Sequence, residues 1–263
     1  MNRYILPLLL SILLSASGMI YGQHEESTAY KLTNILLPRS DFHYRSFFVN
    51  DSSNIYIPMN GGIFMPLDSS WYFRPGTQKY YTSLTQYAAD SSEFFLVNDK
   101  DSTTLYHTNI RKRPSQKKLK ITRIKKGLYS VINIMNTCIL WGYDGEHSQI
   151  GIIKPDGIKW LYQMKGMIQQ VQADASAEIY FCLKNSIYRL SDKKIVAQLP
   201  SPIYGFDFNN KGKLVISSKE GIGIEKNKTI ELIATGIGGL LECRAESIYL
   251  LSSIDNRIYI LKP

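Results

Sequence analysis

The sequence predicts an all-β chain folded as a six-bladed β-propeller of four-stranded blades, its ring closed by the N-terminal strand completing the last blade. Three observations lead there. The apolar residues fall in short runs without helical spacing, a paired motif recurs six times, and the two ends of the chain complement one another.

The runs come first. From residue 29 onward, brief stretches of Ile, Val, Leu, Tyr and Phe alternate with Asn, Asp, Gly, Ser and Lys, the pattern of closely spaced strands and turns. Within them a polar or glycine turn precedes an apolar anchor at Ile63, Leu105, Ile150, Ile187, Ile222 and Ile258, at spacings of 42, 45, 37, 35 and 36 residues. A stronger run lies about eight residues before each anchor, at 55–57, 94–96, 139–141, 179–181, 214–216 and 248–250. Earlier strands are expected at 44–49, 84–89, 128–133, 167–172, 202–208 and 240–244. Later ones are expected at 70–73, 118–124, 158–163, 194–198 and 229–234. Four strands in about 40 residues, repeated, describe propeller blades. A β-sandwich would also use short strands, but gives no reason for six units in step.

The ends agree with this reading. The sixth unit stops after its third strand at Pro263, while one strand over residues 30–37 precedes the first unit. Placing that strand at the outside of the last blade fills the vacancy and covers an otherwise unpaired edge.

Asn209-Asn210-Lys211-Gly212-Lys213-Leu214-Val215-Ile216 and Gly221-Ile222-Gly223-Ile224 resemble the turn and strands of six-bladed propellers of the NHL-repeat, gluconolactonase-like and sensor-propeller types. The resemblance is one of repeat pattern over residues 23–263. It implies ligand sites on the face where fourth-to-first and second-to-third loops gather. For the gluconolactonase-like enzymes it implies a divalent metal held by a carboxylate and amides from separate blades. Several units lack the Asp/Asn-x-x-Gly turn, and Pro58 falls at the end of a second strand, an awkward place for a missing N–H.

Residues 1–22 are expected to be a cleaved signal peptide, leaving a single domain over 23–263. Arg3 supplies the positive start, residues 4–14 the apolar stretch, and Ser17, Gly18 or Gly22 a small residue at the cut. Eleven residues at about 1.5 Å each fall short of a hydrocarbon core of roughly 30 Å. The mature chain is expected in the periplasm or outside the cell, with no transmembrane segment. Cys138, Cys182 and Cys243 are too few and too odd in number for a disulfide framework, and all sit in apolar runs as small hydrophobes.

On the loop face, residues 38–42 contribute Arg39 and Asp41. The longer loop 74–83 contributes Arg74, Tyr80 and Tyr81, a pairing of aromatic and cationic groups suited to a protein or glycan. Asp144-Gly145-Glu146-His147 is the densest polar cluster, and Asp144 and His147 join the ligand-binding candidates. No His pair has metal-ligand spacing, and neither a Gly-x-Ser-x-Gly elbow nor a phosphate-binding glycine loop is present. No catalytic residue, metal ligand or cofactor is therefore expected.

Charge adds one local signal. Residues 111–126 hold nine Lys/Arg and no acid. Loss of Arg3 lowers the formal charge from +9 to +8, and setting those nine aside leaves −1, so the basic excess resides in one segment. Arg111, Lys112, Arg113, Lys117, Lys118, Lys120 and Arg123 are candidates for contact with a polyanion such as anionic lipid, acidic glycan or an acidic partner. A basic outer strand that wards off edge pairing is the structural alternative. Nucleic acid is disfavoured by export and by the absence of interleaved aromatics. The function expected is a non-enzymatic binding or scaffold propeller, the alternative a metal-assisted hydrolase or lactonase of the propeller type.

Overall fold

Elementary patterning accounts for the architecture in the computed structural model, which describes residues 30–37, 47–50, 52–59, 62–67, 70–75, 81–87, 92–98, 100–109, 119–134 and 137–263. Among the described residues there are strands and turns and no helix, so none is long and apolar enough to cross a membrane.

The chain opens with β1 (Lys31–Leu36). Blade 1 comprises β2 (Phe48–Val49), β3 (Ile55–Met59), β4 (Gly62–Leu67) and β5 (Ser70–Pro75). Blade 2 follows as β6 (Tyr81–Tyr87), β7 (Ser92–Asn98), β8 (Ser102–Asn109) and β9 (Leu119–Lys125). Blade 3 is β10 (Leu128–Ile134), β11 (Thr137–Tyr143), β12 (His147–Lys154) and β13 (Gly157–Lys165). Blade 4 is β14 (Gln170–Ala173), β15 (Ile179–Leu183), β16 (Ser186–Arg189) and β17 (Ile195–Gln198). Blade 5 is β18 (Ile203–Phe208), β19 (Leu214–Ser218), β20 (Gly221–Lys226) and β21 (Thr229–Thr235). Blade 6 contains β22 (Gly239–Arg244), β23 (Ser247–Ser252) and β24 (Arg257–Lys262), and β1 is its fourth strand.

This is the six-bladed propeller that the repeat spacing predicts, with the predicted closure. β1 runs antiparallel to β24 from Lys31↔Lys262 to Leu36↔Arg257. The Leu37 N–H donates to the Asn256 carbonyl at 2.9 Å, and Asn256 Nδ2 donates to the Leu37 carbonyl at 3.1 Å. Leu37 then enters a core with Val49, Ile55, Ile57, Tyr249, Leu251 and Ile258, joining blade 6 to blade 1. The six anchor residues are all buried, and the strong second strands form the central layer of each blade. Pro58 is tolerated in β3 opposite Ile63.

Two details repeat from blade to blade. The turns between first and second strands in blades 1, 4 and 5 are the same structure. The side-chain oxygen of Asn50, Asp174 or Asn209 accepts N–H bonds from residues two and four positions on, and the first and fifth residues pair through the backbone. The fourth residue has positive φ in each: Ser53 at 61°, Ala177 at 64° and Gly212 at 70°. Only Gly212 adopts it without steric cost, so the turn survives in two blades whose sequences lack the glycine.

The other repeated detail is a bulge in the outer strand. The register slips beside the anchor in blades 2, 3, 4 and 5, leaving Ile121, Leu161, Val196 and Ile233 as the extra residues. Such bulges bend an edge and interrupt its row of free N–H and C=O groups.

Candidate functional site

A propeller leaves the inner edge of each first strand without a strand partner, so its outward N–H groups need another acceptor if buried. Side chains of preceding blades supply it here. Gln170 Oε1 accepts the Phe206 N–H at 3.0 Å, Asp207 Oδ2 the Cys243 N–H at 2.7 Å, and Glu242 Oε2 the Val49 N–H at 2.8 Å. These bonds join blade 4 to 5, 5 to 6 and 6 to 1. Gln170 Nε2 also reaches past blade 5 to the Leu241 carbonyl at 2.8 Å. Gly205 permits this: a Cβ there would lie 2.7 Å from Gln170 Oε1 and 2.8 Å from the Gly239 carbonyl. At the final seam Arg244 Nε donates to the Val49 carbonyl at 2.9 Å, and its Nη2 lies 4.0 Å from Glu242 Oε2.

Asp207 is 4% exposed and Glu242 8%. Burial pushes the Asp207 carboxyl up to about 6 and Glu242 up to about 7, with Arg244 opposing both shifts. The buried Cys243 thiol is raised too, chiefly by desolvation. All three cysteines are buried.

A gluconolactonase-like metal site would use a carboxylate and amides from separate blades, and the inner strands bring together two carboxylates and one amide. Here the set does not fit an ion. Asp207 Oδ1 accepts the Phe208 N–H at 2.8 Å while Oδ2 holds Cys243, and Gln170 and Glu242 each hold a backbone N–H of the next blade. Among the described residues, no three His, Cys, Asp or Glu side chains converge as metal ligands.

The loop face carries a second arrangement. Asp144 Oδ1 accepts the N–H groups of His147 at 2.8 Å and Glu146 at 2.9 Å, closing the β11–β12 hairpin. Those two bonds, His147 first, hold its carboxyl below the usual range, and Lys125 adds to this. Lys125 Nζ lies 3.6 Å from Asp144 Oδ2 and 3.4 Å from Glu146 Oε2, bringing the end of the basic strand β9 onto the acidic hairpin of blade 3. On blade 5, Glu220 accepts hydroxyl bonds from Ser201 and from Ser218, the latter at 2.7 Å, and both lower its pKa.

Of the residues singled out in the sequence, Asp144 and His147 are thus brought together in one hairpin. Arg123 lies on β9, exposed, with Nε donating to Ser102 Oγ at 2.6 Å. Lys120 occupies β9 opposite Tyr106. Arg74 and Tyr81, read in sequence as loop residues, are strand residues instead. Arg74 pairs with Ile63 because β5 continues the full length of its hairpin, and Tyr81 pairs with Val97 at the start of β6. Arg39, Asp41, Tyr80, Arg111, Lys112, Arg113, Lys117 and Lys118 lie outside the described residues.

Gln170, Asp207, Glu242 and Arg244 escaped the sequence reading. Asp207 and Glu242 occupy the same position in blades 5 and 6, each paired through the second strand with the residue two past the anchor (Ile224 and Ile260), and an acid recurring there is the signal that could have found them.

Fold and site define a six-bladed β-propeller. No protein-family model matches the chain, and no curated protein matches it. Solved propellers do. A candidate gluconolactonase aligns with a TM-score of 0.63 and 10% identity over 90% of this chain and 93% of that one. The propeller of a nidogen/laminin complex aligns at 0.55 and 12% identity, covering 74% and 84%. The extracellular domain of a candidate hybrid two component system from B. thetaiotaomicron aligns at 0.54 and 12% identity over 88% of this chain, which spans 39% of that one. At these identities the likeness is one of fold.

Proposed function

We propose that the chain is an exported binding or scaffold propeller whose loop face recognises a protein or glycan. One observation carries this reading: Gln170, Asp207 and Glu242 of the inner strands each spend a side-chain oxygen on a backbone N–H of the following blade. Groups so engaged serve the ring and are poorly placed to hold a substrate or ion. The loop face, by contrast, presents Lys125 and Glu146 exposed at its surface, on and beside the hairpin that Asp144 closes. Arg39, Asp41, Arg74, Tyr80 and Tyr81 belong to the same proposed contact region. Residues 1–22 act as the export signal, and the basic segment 111–126 contributes affinity for anionic surfaces.

The test is retention of the mature chain on arrays of glycans and envelope proteins, compared with an Asp144→Ala/His147→Ala double variant. The reading expects at least a tenfold loss of retention in the variant. Divalent-cation-dependent lactone hydrolysis that survives in the double variant would overturn it. Heparin retention that falls with salt, and disappears in the Lys117→Gln/Lys118→Gln/Lys120→Gln variant, is the expected behaviour of the basic segment.

A further inference from the structure

The outer strands of blades 3 and 4 differ from those of their neighbours. In blades 2 and 5 the extra residue of the bulge is partly covered: Ile121 packs against a core built from blades 2 and 3, Tyr129 and Val131 among them, and Ile233 against one built from blades 5 and 6. In blades 3 and 4 it is not. Leu161 is 38% exposed beside Trp160 at 41%, and Val196 is 42% exposed beside Ile195 at 50%. The flanking lysines Lys154, Lys159, Lys165 and Lys194 are exposed. Asp192 is engaged by Arg189 at 3.2 Å and by Lys194 at 3.6 Å, leaving the exposed Asp156 as the other acid of these two strands' flanks. Lys193, with its Nζ 4.1 Å from the Tyr162 ring centroid, ties the two rims together.

We infer that the outer rim of blades 3 and 4 is a contact surface for an anionic lipid bilayer. Half-exposed Trp and aliphatic side chains within a ring of lysines match the chemistry of the membrane interface, where apolar groups insert and cations meet anionic headgroups. Other occupants fit less well. A partner adding a strand needs an unbroken edge, and the bulges at Leu161 and Val196 interrupt it. A second copy docking rim to rim would oppose lysine to lysine. An acidic protein would satisfy the cations and leave the four apolar groups without a partner. The inference goes beyond the loop-face reading and stands on different residues.

The experiment uses the mature full chain and vesicles of phosphatidylcholine with or without about a third phosphatidylglycerol, a content high enough for a strong negative surface potential. Co-sedimentation with the anionic vesicles, weakened by salt, is expected. A Trp160→Ser/Leu161→Ser/Ile195→Ser variant should bind at least tenfold less, and Lys159→Gln/Lys165→Gln several-fold less. Brominated lipid should quench tryptophan fluorescence in the parent and not in Trp160→Phe. Equal binding to neutral vesicles, no binding to either, or full binding by the rim variant overturns the inference. If only the Lys117→Gln/Lys118→Gln/Lys120→Gln variant loses binding, the basic segment acts without the rim and the inference fails. Competition by polyglutamate without quenching by brominated lipid would assign the rim to an acidic protein. Near-ultraviolet circular dichroism matching the parent establishes that the variants are folded.

Discussion

The inner and outer strands face the same physical difficulty, a sheet edge without a partner strand, and meet it with different materials. Along the inner edge, buried side chains substitute for the missing strand: Gln170, Asp207 and Glu242 each accept an N–H from the blade that follows. Along the outer edge, blades 2 to 5 bend the strand with a bulge and leave its polar groups to water. The contrast teaches where function can reside. Polar groups at the centre are committed to holding blades together, and side chains at the rim and on the loop face remain available for contact.

The largest effect should come from the one outer edge closed by a strand from the far end of the chain. Deleting residues 30–37 removes the β1–β24 pairing and takes Leu37 out of the blade 6–blade 1 core. A loss on the order of 5 kcal/mol is expected, a large share of a typical domain's stability. For a chain of this length that lowers the melting temperature by roughly 10–20 °C. Calorimetry of the deletion variant checks this, and an unchanged transition would contradict the closure.

A smaller effect separates centre from rim. Asp207→Ala leaves the Cys243 N–H buried without its acceptor and should cost about 1–3 kcal/mol. Lys159→Gln, at the exposed rim, should stay within about 0.5 kcal/mol. Urea unfolding of the two variants side by side measures the difference, and equal losses would erase the distinction.

The pH dependence follows from the same buried carboxyls. Their pKa values in the folded chain, about 6 for Asp207 and about 7 for Glu242, lie above the ordinary values of 3.8 and 4.5. The folded state therefore binds these protons more tightly than the unfolded state. Their contribution is greatest below about pH 4, falls as pH rises through the window to about 7, and is flat above it. A decline on the order of a few kcal/mol is expected between pH 4 and pH 8 from these groups. The Asp207→Asn/Glu242→Gln variant should show a flatter profile in urea titrations. A parent slope unaffected by that substitution would remove these groups as its cause.

Smallest is the turn strain. Ala177→Gly relieves a left-handed residue in blade 4 and should raise stability by about 0.5–1 kcal/mol, whereas Gly212→Ala should lower it by a similar amount. Thermal melts of the pair check the signs.

The strands were legible in the sequence because apolar runs of strand length recur in register, and β1 was legible because the sixth unit visibly lacked its fourth strand. The turn of blade 5 showed itself through Gly212. The identical turns at Ala177 and Ser53 did not, since their left-handed residues lack the glycine that marks the conformation. The inner-edge network was hidden for another reason. Asp207 and Glu242 sit within strands, where a lone polar residue reads as solvent-facing until the ring shows which backbone N–H it meets. The rim was hidden too: Leu161 and Ile233 look alike in sequence, and only the packing of the next blade distinguishes an exposed residue from a covered one. Arg74 and Tyr81 were misplaced by strand ends, which the apolar pattern marks weakly.

The most direct test of the inner-edge account compares Glu242→Gln with Glu242→Ala in urea at pH 8, where the parent carboxyl is ionised. The amide keeps an acceptor for the Val49 N–H and removes the buried charge, so Glu242→Gln should match or exceed the parent. Glu242→Ala should fall about 1–3 kcal/mol below it. Two variants of equal stability would show that this oxygen does not hold blade 6 to blade 1, and the assignment of the central polar groups to ring closure would fail.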